Sequence, residues 1–70
     1  MSKFVDQEIR KEELEVPCEP GQKTFTFRLL KNKRGQYLRL TEARDGRTNT
    51  ICIPSNAMAQ VAEVIRSIAR

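Results

Sequence analysis

Histidine is absent from the chain and its two cysteines, Cys18 and Cys52, form no CxxC pair, so neither a four-ligand Cys/His zinc site nor a Cys/His nucleophile can be assembled. No glycine-rich loop of Walker or Rossmann spacing is present to cradle a phosphate. The clustered carboxylates Glu12, Glu13 and Glu15 fall in a charged stretch near the amino end, where water rather than a cleft is expected to surround them. The chain is therefore expected not to be an enzyme, with no metal, no cofactor and no small-molecule substrate.

The chemistry that remains is cationic. The net charge of +4 hides an uneven distribution: residues 1–20 sum to −3, residues 21–50 to +6 and residues 51–70 to +1. The middle block holds Lys23, Arg28, Lys31, Lys33, Arg34, Arg39, Arg44 and Arg47 against only Glu42 and Asp45. Lysine and arginine concentrated in this way suit a polyanion, because neutralised phosphates release counterions and so drive association. An acidic protein docking on the same basic face is the second reading of that charge.

Alternation supplies the elements that must position these cations. Leu14 to Val16 reads as a strand, ended by the loop Pro17-Cys18-Glu19-Pro20-Gly21. Thr24-Phe25-Thr26-Phe27-Arg28-Leu29 has a strict period of two and predicts a strand with Phe25, Phe27 and Leu29 on one face. A turn at Asn32-Lys33-Arg34-Gly35 leads into Tyr37-Leu38-Arg39-Leu40-Thr41, which alternates again. Asp45-Gly46 suits a two-residue type I′ turn, and placing Arg44 opposite Arg47 sets Leu40 against Ile51 and Leu38 against Ile53. Pro54 ends that strand, and Ser55 or Asn56 is expected to cap a helix. Its apolar stripe comprises Met58, Val61, Ile65 and Ile68, with Ala57 and Val64.

The expected fold is α+β: a four-stranded antiparallel sheet followed by one C-terminal helix lying over Phe25, Phe27, Leu29, Leu38, Leu40, Ile51 and Ile53. The opposite face then gathers Thr24, Thr26, Arg28, Leu30, Tyr37, Arg39, Thr41, Thr48, Thr50 and Cys52. Arg28 lies directly opposite Arg39 if the turn spans Asn32 to Gly35, or diagonal to it if the turn is Arg34-Gly35 alone. Like charges so close across a sheet are destabilising, and an anion held by both relieves the strain. With Tyr37 as a stacking ring, Thr26 as a hydroxyl donor, and Lys31, Asn32, Lys33 and Arg34 in the turn, this is a physical recipe for single-stranded nucleic acid. Glu13 and Glu15 oppose it at the sheet edge if they lie on the same face.

Seventy residues, 39% apolar and 31% charged, make one small domain with a marginal core, so self-association is expected to supply the missing burial. Residues 1–8 are expected to be a flexible N-terminal segment and residues 9–70 the single domain. Met1-Ser2-Lys3-Phe4-Val5-Asp6 lacks the apolar run of a signal peptide and no stretch approaches a membrane span, so a cytoplasmic protein without a membrane partner is expected.

Asn32, Gly35, Tyr37, Leu38, Arg39, Leu40 and Glu42, preceded by Phe25-Thr26-Phe27 and followed by Ile51-Cys52-Ile53-Pro54 and a helix, resemble the repeat of the Pur-alpha family of purine-rich-element binding proteins. The resemblance covers roughly residues 9 to 69. It implies a ββββα repeat, two copies of which intertwine, here as a homodimer, and bind single-stranded DNA or RNA on their sheets with purine-rich sequence favoured. It also implies that Asn32, Arg34 and Arg39 contact nucleic acid. Family members often carry a lysine two places before the asparagine, where this chain has Leu30. A similar strand order occurs in the Whirly and positive-cofactor-four families, also single-strand binders.

Overall fold

The computed structural model describes residues 6–18 and 21–69. Strands β1 (Gln7–Pro17), β2 (Gln22–Asn32), β3 (Gly35–Arg44) and β4 (Arg47–Pro54) form one antiparallel sheet in sequence order, and helix α1 (Ser55–Ile68) follows. This is the ββββα order that alternation predicts. β1 is longer than its short alternating run suggests, and it begins inside the stretch 1–8 expected to be a flexible lead-in. The first five residues of that stretch, and Glu19 and Pro20 of the first loop, lie outside the described residues.

Turn chemistry fixes the register. Asp45 (φ 52°) and Gly46 (φ 77°) both take the positive φ that a type I′ turn demands, and Arg44 pairs with Arg47, Leu40 with Ile51 and Leu38 with Ile53. In the preceding hairpin Asn32 pairs with Gly35 around Lys33-Arg34, which puts Arg28 directly opposite Arg39. The Asn32 Oδ1 accepts a hydrogen bond from the Arg34 backbone N–H at 2.8 Å, a local Asx turn that holds the tip.

The helix corrects an expectation. Among the described residues it packs against β3 and β4 alone and does not reach β1 or β2. Ala57, Met58 and Val61 in its first turns are half-buried, whereas Ile65 is 59% exposed and Ile68 77%. Of the sheet residues expected beneath it, Ile51 is 56% exposed, and Phe25, Phe27, Leu29, Leu38, Leu40 and Ile53 are half-buried. Capping differs too: Pro54 occupies the N-cap position and no side chain caps the helix, so neither Ser55 nor Asn56 plays that part. At the far end of the helix-bearing face, Lys23 on β2 pairs with Glu42 on β3 at 2.7 Å, and Asn49 on β4 donates to the same carboxylate at 3.4 Å. Lys23 first, then Asn49, hold the Glu42 carboxyl below its ordinary range. The stability this ties in is present above the usual carboxylate pKa and lost as pH falls through the lowered one.

Candidate functional site

Cross-strand pairing arranges the face away from the helix in rows. The central row runs Lys11–Arg28–Arg39–Cys52, each residue paired with the next across the sheet. Three cations therefore stand side by side, where the sequence reading found only the two arginines. Strands β2 to β4 supply a hydroxyl row on one flank, Thr26–Thr41–Thr50, in which the Thr41 and Thr50 hydroxyls lie 3.0 Å apart. On the other flank is the row Glu8–Leu30–Tyr37–Pro54.

That last row departs most from expectation. Leu30, assigned by alternation to the bare face, is 6% exposed and is the only buried apolar residue among those described. Its cover follows from Tyr37. The phenol hydroxyl, carried on β3, donates to a carboxylate oxygen of Asp6, the residue before β1, so the ring must reach over β2, where Leu30 lies. Leu30 is the cross-strand partner of Tyr37, so an apolar side chain stands beside the ring. A tyrosine laid along a sheet offers its outer face to a base, which is the geometry stacking requires.

The hydrogen bond to Asp6 is the main reason the Tyr37 phenol titrates above its ordinary value. Burial and the Asp6 charge push the same way, and Arg39 opposes them. Because the folded pKa is raised, the contact's contribution to stability is full below the ordinary phenol value and disappears as pH climbs through the raised one. Tyr37 is the only tyrosine in the chain, so tyrosinate absorbance reports it alone. In an alkaline titration the midpoint is expected above about 10 and should fall toward that value in Asp6→Ala. Equal midpoints in the two proteins would contradict the contact.

Of the residues nominated from sequence, Thr26, Arg28, Tyr37 and Arg39 share this face. Asn32, Lys33 and Arg34 form the hairpin tip at its end, where the Asn32 oxygen is committed to the turn and its Nδ2 amide is the group able to address a ligand. Lys31 does not join them: its position in the alternation places it on the helix side with Phe27 and Leu29. Glu13 and Glu15 do lie on the cationic face, opposite Thr26 and Thr24, so its β1 margin is acidic. Lys11, the third cation of the central row, pairs with Glu13 at 3.8 Å.

Sequence reasoning missed Asp6, Glu8 and Lys11. A β-bulge in β1 explains Glu8: Glu8 pairs with Leu30 and Arg10 with Leu29, so Ile9 is an extra residue that reverses the alternation. No local signal marks it, because Gln7-Glu8-Ile9-Arg10-Lys11-Glu12 has no apolar alternation to interrupt. Among the described residues no group of three or more His, Cys, Asp or Glu is placed to hold a metal ion. What the face presents is positive charge, hydroxyls and one flat aromatic ring, a surface suited to binding.

A family model described as "PurA ssDNA and RNA-binding protein" matches residues 1–70, the whole chain. No curated protein and no solved structure matches it.

Proposed function

Since the chain belongs to the PurA family of single-stranded DNA- and RNA-binding proteins, we propose that it binds a single strand across the face that carries Arg28 and Arg39, and does so as a homodimer. The directly opposed arginine pair carries the proposal. Two guanidiniums facing each other across a ladder cost stability unless an anion lies between them, and a phosphodiester is such an anion. Arg28 and Arg39 take the backbone, with Lys33 and Arg34 extending the track at the hairpin tip and Lys31 reaching the tip from the other side. Tyr37 stacks a base, Thr26 offers a hydroxyl, and the Asn32 amide donates to a base or sugar. Purines overlap more of the phenol ring than pyrimidines, which favours purine-rich sequence.

The dimer is supported by surface arithmetic. The chain exposes 6099 Å², where a compact monomer of this length exposes about 4,500 Å². Its radius of gyration is 14.1 Å against about 11 Å for a compact chain. The excess, about 1,600 Å² per copy, doubles to about 3,200 Å² in a pair, inside the range of obligate dimers. The occupant that fits is a second copy, whose Val64, Ile65 and Ile68 would lie on the open apolar face around Phe25, Leu40 and Ile51. That leaves the arginine face free.

Fluorescence anisotropy with labelled single-stranded and duplex oligonucleotides tests the function. Micromolar or tighter binding to single strands is expected at about 50 mM salt, weakening with a slope near −0.7 in log K against log salt for each phosphate held. No binding to a single strand at low salt would reject it.

A further inference from the structure

The bulge at Ile9 has placed a carboxylate against the central cation. Glu8 Oε1 lies 3.4 Å from Arg28 Nε, and that nitrogen is buried without a hydrogen bond. The contact is therefore charged but poorly aligned, and an incoming anion can displace it. Without the extra residue, Ile9 would stand opposite Leu30 and Glu8 would face the helix side. Asp6 is already bound to Tyr37, so two carboxylates border the row where the ring lies, while the neighbouring row and the hairpin tip are cationic.

We propose that Glu8 is a specificity-determining residue of this face, a carboxylate beside Arg28 that turns away ligands charged on all sides and admits those with one charged edge and one neutral edge. The proposal rests on the single-strand reading and deepens it. A nucleic acid strand can set its phosphates on Arg28 and Arg39 and its uncharged bases toward Tyr37 and Glu8. A sulfated polysaccharide has no neutral edge to turn, so its anionic groups meet Glu8 and Asp6 wherever it lies over the patch.

The test compares heparin with a single-stranded oligonucleotide on the full chain and on Glu8→Gln, which keeps the side-chain shape and removes the charge. Glu8→Ala serves as a second variant, and circular dichroism checks that each is folded. At low salt the Gln variant is expected to bind heparin about two- to fivefold more tightly, the scale of one exposed ion pair. Oligonucleotide affinity should rise less, so that selectivity for the oligonucleotide falls. Unchanged heparin affinity in both variants, or an equal gain for both ligands, overturns the proposal. If neither the parent nor the variants bind the oligonucleotide, the single-strand reading falls instead, and the heparin result alone decides whether Glu8 competes for Arg28.

Discussion

Arg28→Gln/Arg39→Gln is expected to bind a single-stranded oligonucleotide about a hundredfold more weakly at low salt while melting no lower than the parent. Each substitution removes a charge-assisted hydrogen bond to phosphate, worth about tenfold on an exposed surface. The salt slope should shrink by about 0.7 for each phosphate no longer neutralised. Stability is held, because ending the repulsion between two guanidiniums directly paired across β2 and β3 offsets the loss of the exposed Arg28–Glu8 ion pair, and glutamine keeps most of each stem over the sheet. Anisotropy and thermal melting of the same preparation give both numbers. Unchanged affinity in a folded double variant would remove the arginine face from the mechanism.

The second large effect is expected on the helix. Ile65 is 59% exposed in the single chain, so for a monomer Ile65→Asp should shift stability by no more than about 0.5 kcal/mol. In the proposed dimer the same change buries two carboxylates in an apolar interface, at a cost of several kcal/mol. A copy on its own has little to fall back on, since Leu30 is the only buried apolar residue among those described. Ile65→Asp should therefore abolish both the dimer in sedimentation and the cooperative melt, whereas Gln60→Asp on the polar side of α1 should keep them. The parent should melt at a lower temperature on dilution, as mass action requires. A parent that sediments as a monomer at micromolar concentration and melts independently of dilution would refute the dimer.

The sheet was legible because alternation marks its strands, and at the last hairpin a second signal agrees with it. Asp45-Gly46 selects a turn type, and the register it imposes brings Leu40 to Ile51 and Leu38 to Ile53 without adjustment. For Arg28 and Arg39 the residue types settle the face, while the choice between directly opposite and diagonal awaited the pairing of Asn32 with Gly35. Helix α1 was legible as an amphipathic segment, but a stripe such as Val61, Ile65 and Ile68 records that a face is to be buried and not which chain buries it. Lys31, expected in the turn, falls instead among the last residues of β2, and parity, which its nearness to the turn does not reveal, sets it on the helix side. The acid side of the site was hidden for another reason. The Tyr37–Asp6 hydrogen bond joins residues on either side of a whole strand, and the bulge at Ile9 sits in a segment whose charged residues carry no periodicity to break.

Among the described residues, the order β1-β2-β3-β4 leaves β1 and β4 with unfilled ladder edges. β1 carries Glu8, Arg10, Lys11, Glu12, Glu13 and Glu15, a mixture of signs that repels a stray strand unless every charge is matched. β4, from Thr48 to Ile53, has no such fence. Strand addition in a crowded or partly unfolded population is thus funnelled to a single seam. Two chains joined there would close on each other with guarded margins outward, and a fibre would have nowhere to grow.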